Sequence, residues 1–259
     1  MQIDMDLVKT LVYRTKDIIT NKSLIKSVNE KGLADFVTAV DTSVQDMLEK
    51  ELSALYPDIQ FIGEEGENHL TDMPSAVWIL DPVDGTTNLI YDYRMSAVSL
   101  ALYADGEVVI GIVYNPFTEE MFTAKKGDGA YLNGQRIHVS SAETVSKSLI
   151  SIGTSPYEKE RADRNFEVFK NIFKASLDIR RSGSAALDLC YVSAGRTDGY
   201  MEQNLKPWDF AAGMLILNEA GGKVTDYSGN PVNPLKNADV FASNGLIHNE
   251  LMQFFAVNR

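Results

Sequence analysis

A run of eleven residues, Trp78-Ile79-Leu80-Asp81-Pro82-Val83-Asp84-Gly85-Thr86-Thr87-Asn88, constrains this chain more than any other stretch. The apolar residues from Val77 to Leu80 read as a short buried strand. The strand is expected to end on Asp81, because Pro82 has no N–H to give to a ladder and forces a turn. Two carboxylates and several backbone N–H groups are thereby delivered to one point. Carboxylate oxygens suit hard cations. Backbone N–H groups at a helix start, here those of Gly85 and Thr86, suit phosphate. Asp81 and Asp84, three apart, can grip one metal or two neighbouring ones across the turn. The plain alternative is an exposed loop whose Asp and Thr side chains cap a helix.

Upstream lies Gly63-Glu64-Glu65-Gly66. Glycines let the backbone turn sharply, so that adjacent carboxylates point the same way. Two such glutamates repel unless a cation or water sits between them. A solvated loop is the alternative reading.

Taken in order, residues 4–20 carry apolar side chains at helical spacing, and a second helix is expected over 42–55, ended by Pro57. Asp41 is placed to N-cap that second helix. A short strand follows over 58–63. Strands over 96–103 and 108–114 are joined by the hairpin signal Ala104-Asp105-Gly106-Glu107, with further strands over 120–125 and 130–132 and a turn at Asn133-Gly134. These consecutive strands make an antiparallel sheet beside the first two helices. Gly127-Asp128-Gly129 opens onto no helix, so it reads as hairpin chemistry and not as a nucleotide loop. The chain turns polar around 140–147, where a boundary between an N-terminal half, 1–145, and a C-terminal half, 146–259, is expected. The second half alternates: strands over 148–152, 178–181, 199–202, 223–225 and 240–243, helices over 165–173, 184–193, 209–220 and 248–257. Alternation of this kind argues for an α/β half.

Composition narrows the function. The chain has 259 residues and a net charge of −12, with an isoelectric point near 4.7. Such a chain repels nucleic acid and anionic membranes unless cations intervene. It carries one cysteine, Cys190, in an apolar helical setting that reads as core, so a disulfide within the chain and a cysteine-rich zinc site are both excluded. His69, His138 and His248 lack zinc-motif spacing and read as surface residues. No leader pattern and no long apolar run are evident, so a cytoplasmic protein is expected.

The string W-I-L-D-P-V-D-G-T-T-N, with G-E-E-G before it and K-P-W-D-F-A-A-G after it (Lys206 to Gly213), resembles the inositol monophosphatase family: magnesium-dependent, lithium-sensitive phosphatases of small phosphorylated metabolites. The resemblance covers nearly the whole chain. It implies a layered αβαβα sugar-phosphatase fold, α+β in its first half and α/β in its second, and a homodimer. It makes Asp209 a metal ligand, where the residue types alone leave a helix cap open. It gives Asp41 the task of orienting the catalytic Thr86 and of binding a third metal through water. It places Gly183, Ser184 and Ala185 along the substrate pocket, with Glu202 on a substrate hydroxyl and Thr154 on the same face. Arg180-Arg181 reads as a solvated charge pair or, alternatively, as a partner for a second phosphate.

Glu64, Asp81, Asp84 and Asp209 come from three separate segments. Converging on one point, they are untenable without divalent cations. Oxygen-only ligands favour Mg²⁺ or Mn²⁺ over zinc, and shared carboxylates suit a two-metal, in-line phosphoryl displacement by water. The expected roles are these. Glu64, Asp81 and the Val83 carbonyl hold a first metal, Asp81, Asp84 and Asp209 a second, and Glu65 helps place a third. Asp84, Gly85, Thr86 and Asp209 also face the substrate. Inositol monophosphate is the leading substrate; fructose 1,6-bisphosphate, NADP and 3′-phosphoadenosine phosphates are the alternatives. The haloacid dehalogenase class is a rival with an aspartate nucleophile, but here two residues, Pro82 and Val83, separate the aspartates. A non-catalytic metal-binding regulatory protein is the reading from another class.

Overall fold

The computed structural model describes residues 3–25, 28–32, 35–66 and 75–256, with backbone alone for 28–32, 35–36 and 256. His69 and Val257 lie outside the described residues.

The first helical stretch is three short helices, α1 (Met5–Arg14), α2 (Lys16–Ile19) and α3 (Lys22–Ile25). Asp4 caps α1 by accepting from the N–H groups of Asp6 and Leu7. A hairpin not expected from the sequence follows, β1 (Val28–Gly32) with β2 (Asp35–Thr38). Helix α4 (Ala39–Leu55) begins three residues earlier than expected, and its N-cap is Thr38 rather than Asp41. The cause is a capping box: the Thr38 hydroxyl accepts from Val40 N–H while the Asp41 carboxylate accepts from Thr38 N–H.

Strands β3 (Gln60–Gly63) and β4 (Ala76–Asp84) are followed by the short helix α5 (Thr86–Ile90). Then come β5 (Ala97–Ala104), β6 (Glu107–Asn115), β7 (Glu120–Lys125), β8 (Gly129–Leu132) and β9 (Gln135–Ile137). The seven strands from β3 to β9 form one sheet in chain order. The antiparallel sheet expected of the strands after the central motif is present, β5 to β9; β4 joins it antiparallel to β5, and β3 extends it in parallel with β4.

The rest alternates as expected: β10 (Leu149–Ile152), α6 (Ala162–Ala175), β11 (Asp178–Arg180), α7 (Ala185–Ser193), β12 (Gly199–Leu205), α8 (Pro207–Glu219), β13 (Lys223–Thr225), β14 (Ala238–Ser243) and α9 (His248–Ala256). The second sheet has the order β11-β10-β12-β14-β13. Its β11-β10-β12 part is parallel, joined by helical crossovers, and its β14-β13 part is antiparallel.

Period-two alternation in the strands builds the layers. Trp78 and Leu80 of β4 point to one side, into a core shared with Val8 of α1 and with Val44 and Leu48 of α4. Val77 and Ile79 point to the other side, against Cys190 of α7 and against Ala212 and Ile216 of α8. The reverse faces of α7 and α8, at Leu189 and Phe210, pack on Tyr200 and Val240 of the second sheet. Beyond that sheet, Ile150 and Met201 meet Phe169 of α6 and Leu251 of α9. The result is five layers, αβαβα, and α7 and α8 are apolar on both faces because a sheet covers each. Cys190 is core, as expected, and burial pushes its thiol up.

One histidine departs from expectation. His248 is buried, with Nδ1 2.9 Å from the Ser243 hydroxyl, Nε2 3.1 Å from the Thr225 hydroxyl, and the ring set edge-on to Phe241. Burial, helped by Lys223, lowers its pKa to about 4.

Candidate active site

Strand β4 does not stop at Asp81. It runs through Pro82 to Asp84, and all nine of its residues are buried. Its pairing with β5 slips by one residue, from Asp81 opposite Ser99 to Asp84 opposite Ala97. That slip is a β-bulge, and Pro82 falls inside it, where its missing N–H costs nothing. The consequence is geometric. In a regular strand, side chains three apart point to opposite faces; one extra residue returns them to the same face. Asp81 and Asp84 thus look into one cavity because of a bulge, and not across a turn. Asp81 fixes the bulge by accepting from Val83 N–H at 2.9 Å.

The chain then turns at Gly85, whose φ of 91° only glycine adopts readily, and starts α5 at Thr86. The Thr86 hydroxyl is 3.0 Å from Asp41 Oδ1 and 3.1 Å from the Val83 carbonyl. Asp41 is fully buried, and its other oxygen accepts from both the hydroxyl (2.6 Å) and the N–H (2.8 Å) of Thr38. Burial raises its pKa, opposed by those bonds and by Thr86.

The cavity has a volume of about 720 Å³ and its lining includes Glu64, Asp81, Val83, Asp84, Gly85, Thr86 and Asp209, together with Gly183, Ala185 and Glu202 from the second half. Glu64 enters from the end of β3, where its N–H extends the parallel pairing to the Leu80 carbonyl. Asp209 comes from the first turn of α8, where it accepts from Lys206 N–H at 2.7 Å; it sits three residues past the N-cap, Lys206. Burial raises the pKa of Asp81 well above the carboxylate range, and repulsion from Glu64, Asp84 and Asp209 adds to it. Burial raises Asp209 likewise, with repulsion from Asp84 and Glu64. Asp84 is raised to about 6 by burial, restrained by hydrogen bonds from the Ser184 hydroxyl at 2.6 Å and from Ala186 N–H at 2.7 Å.

Among the described residues, no three His, Cys, Asp or Glu side chains are gathered tightly enough to hold an ion by themselves. The donor set nevertheless fits a divalent cation. It is all oxygen, Asp81 and Asp84 are buried, and repulsion from Glu64, Asp84 and Asp209 helps raise the pKa of Asp81, as repulsion from Asp84 and Glu64 does that of Asp209; a cation placed among them favours the charged forms instead. Val83 lines the same cavity, and its carbonyl accepts from the Thr86 hydroxyl.

Not every expected residue faces this cavity. Glu65 lies on a separate groove beside Gln45, Asp46 and Glu49. Ser184 turns its hydroxyl to Asp84 and also caps α7 by accepting from Leu187 N–H. Gly153 and Ser155 line the cavity, whereas the hydroxyl of Thr154 between them accepts from Arg181 Nε at 3.1 Å. Glu202 is held by Ser155 N–H at 2.8 Å and the Tyr200 hydroxyl at 2.7 Å, and burial raises its pKa. The two arginines separate: Arg180 pairs with Asp178 on the exposed side, and Arg181 lines the cavity.

Sequence reasoning missed Asp188, which lines the cavity almost fully buried, hydrogen-bonded by the Ser182 hydroxyl at 2.7 Å and raised to about 7 by burial. The signal was present: an aspartate inside the apolar helix Leu187-Asp188-Leu189-Cys190 demands a polar partner. Tyr157 also lines the cavity, and nothing local marks it; Lys206, the first residue of the K-P-W-D-F-A-A-G string, lines it too.

Comparison with known proteins agrees with this architecture. The profile of the inositol monophosphatase family matches residues 2–256. A Nus factor SuhB of Salmonella typhimurium is 39% identical over 217 residues, 84% of this chain and 79% of that protein. An inositol-1-monophosphatase of Rhizobium meliloti is 39% identical, covering 84% and 81%. The solved IMPase of Thermotoga maritima superposes with a TM-score of 0.89 at 34% identity, over 98% of this chain and 96% of that one. An IMPase/NADP phosphatase complexed with Mg²⁺ and phosphate gives 0.87 at 26% identity, over 98% and 95%.

Proposed function

The chain belongs to the inositol monophosphatase family, and from that premise we propose that it is a metal-dependent phosphomonoesterase that hydrolyses inositol monophosphate to inositol and phosphate. One observation carries the reading: Glu64, Asp81, Asp84 and Asp209, from three segments, line one cavity, with burial raising the three aspartates and repulsion from the neighbouring carboxylates adding to Asp81 and Asp209. Family membership and the Mg²⁺ in a structural neighbour imply a divalent metal.

Glu64, Asp81 and the Val83 carbonyl would hold one ion, and Asp81, Asp84 and Asp209 a second. When bound, Mg²⁺ or Mn²⁺ supplies phosphate neutralisation, a water of lowered pKa and charge stabilisation at the leaving oxygen. The remaining work falls to the chain. Asp41 keeps the Thr86 hydroxyl aimed at the cavity, where it orients or deprotonates the attacking water. Backbone N–H groups of Gly85 and Thr86 bind phosphate. Glu202 is already braced by Ser155 and Tyr200, which suits it to accept a hydrogen bond from a substrate hydroxyl. Gly183 and Ala185 shape the wall beside it, with Ser184 acting through Asp84 and Thr154 through Arg181. Water attacks phosphorus directly, with no phosphoenzyme. Glu65, on its own groove, serves a third ion only if its loop turns. The homodimer and the division into halves at residue 145 complete the reading.

The test is phosphate release with Mg²⁺ from inositol 1-phosphate, fructose 1,6-bisphosphate, NADP and 3′-phosphoadenosine 5′-phosphate, each repeated with lithium. Preferential, lithium-sensitive turnover of inositol 1-phosphate is the expected result; preference for another substrate reassigns it within the class. Relatives called Nus factor SuhB support a second reading, a non-catalytic regulatory role on the same fold. That reading gains if no substrate releases phosphate with Mg²⁺ or Mn²⁺.

A further inference from the structure

Helix α4 presents two polar side chains one turn apart, Asp41 and Gln45. Residues at i and i+4 share a helix face. Asp41 reaches Thr86. Gln45, 8% exposed, reaches the backbone of Glu65. Glu65 N–H donates to Gln45 Oε1 at 3.0 Å, and Gln45 Nε2 donates back to the Glu65 carbonyl in a short contact. The amide thus acts as a strand neighbour would, satisfying the donor and acceptor of one residue together. Gly63 makes room for this approach: a Cβ at Gly63 would stand 2.1 Å from Gln45 Oε1.

We infer that Gln45 is a positioning residue for the Glu64–Glu65 loop. One rigid helix then fixes both the Thr86 hydroxyl, through Asp41, and the Glu64 carboxylate, through the loop that Gln45 clasps. The residue type matters. Glutamate keeps the acceptor for Glu65 N–H but loses the donor to its carbonyl. Methionine fills the same volume with neither. The inference rests on the phosphatase reading above and goes beyond it in assigning the loop's geometry to a side chain outside the cavity.

The deciding experiment is equilibrium Mn²⁺ binding, read from the electron paramagnetic resonance signal of free Mn²⁺, for the wild-type chain, Gln45→Met and Gln45→Glu. Phosphate release against Mg²⁺ concentration and thermal unfolding are measured alongside. Supporting partners of metal ligands are worth about 10- to 100-fold in affinity. Gln45→Met should therefore weaken Mn²⁺ by about that factor and raise the Mg²⁺ needed for half-maximal turnover in step. Its kcat at saturating Mg²⁺ should stay near that of the wild type, because the Asp41–Thr86 pair is untouched. Gln45→Glu should lose less. Gly63→Ala, which displaces the amide, should repeat the loss and add little to Gln45→Met. Mn²⁺ affinity within about twofold of wild type in both Gln45 variants, below that 10-fold floor, overturns the inference, even if both unfold at lower temperature. Should Gln45→Met not fold, Gln45→Glu decides by the same criterion. A wild-type chain that neither binds Mn²⁺ nor releases phosphate overturns the phosphatase reading itself, which is a different failure.

Discussion

Helices α4 and α8 start alike. Each carries an aspartate at its third position, Asp41 or Asp209, whose Oδ2 accepts the N–H of the residue before the helix, at 2.8 Å from Thr38 and 2.7 Å from Lys206. Beyond that bond they part. The second oxygen of Asp41 meets a hydroxyl, that of Thr86, and Asp41 does not line the cavity. Its pKa is raised by burial and restrained by hydrogen bonds alone. Asp209 lines the cavity, and repulsion from Asp84 and Glu64 adds to its burial. One local motif therefore sets both backbones, and the groups across the gap set the two proposed roles apart: an orienting carboxylate where a neutral hydroxyl faces it, a cation ligand where other carboxylates do.

The comparison breaks most easily on the cavity side. Asp209→Asn and Asp84→Asn should each lower phosphate release by about 10³-fold or more, since a lost metal ligand removes several kcal/mol of transition-state stabilisation. Asn at 84 still offers an oxygen to Ser184 and Ala186, and it removes a repelling charge, so its melting temperature should hold or rise. Turnover near wild type in Asp84→Asn would sink the two-metal assignment.

Acid sharpens the comparison by separating the cavity from the fold, and His248 is the reporter. Its folded pKa, about 4, lies below the ordinary 6.5, so the unfolded chain takes up the proton first as pH falls. Stability contributed by the neutral ring is therefore present above 6.5 and lost as pH falls from there towards 4, on the order of 3 kcal/mol. The buried carboxylates, raised by burial, take up protons and gain stability over the same window, so the His248 share is read as a difference: from pH 7 to pH 4.5, urea unfolding should show less loss, or more gain, of stability in His248→Gln than in wild type. An equal change in the two proteins would remove His248 as a source of acid sensitivity.

On the Asp41 side the expected losses are smaller. Thr86→Val should lower kcat by about 10²-fold, the low end for a positioned proton-transfer group. Asp41→Asn keeps an acceptor but turns an N–H towards its neighbours, and about a tenfold loss in kcat with KM little changed fits an orienting role. Equal losses in Asp41→Asn and Asp209→Asn would erase the distinction between the two helix starts. Smallest of all, Thr38→Val removes a cap side chain, worth about 1 kcal/mol in urea unfolding, with kcat reduced by less than in Asp41→Asn.

Much of this was legible in the chain. The strand before Asp81, the hairpin at Asp105-Gly106, the alternation after residue 148 and the apolar setting of Cys190 all follow from periodicity and turn chemistry, which act within a few residues. Two errors, at Pro82 and His248, fall where a distant contact outbid a local signal; the third, at Asp41, is a local capping box passed over. Pro82 reads locally as a strand terminator, yet β5 pairs on both sides of it and turns the break into a bulge. Asp41 reads as an N-cap because the competing Thr38 looks like part of an extended segment. His248 reads as surface because nothing near it announces that Ser243 and Thr225 will close over its ring.

By itself, then, the sequence determined the alternation of elements, the family and with it the layers, and four of the cavity's carboxylates, because hydrophobic period and an eleven-residue string are local properties. Only the tertiary structure decided which way those carboxylates face. The bulge that sets Asp81 and Asp84 on one side depends on a neighbouring strand, and the bond from Ser184 to Asp84 spans 100 residues. The amide of Gln45 finds the backbone of Glu65 only after α4 has packed on the sheet. Such contacts are chosen by what burial leaves unsatisfied, and burial is a property of the folded chain.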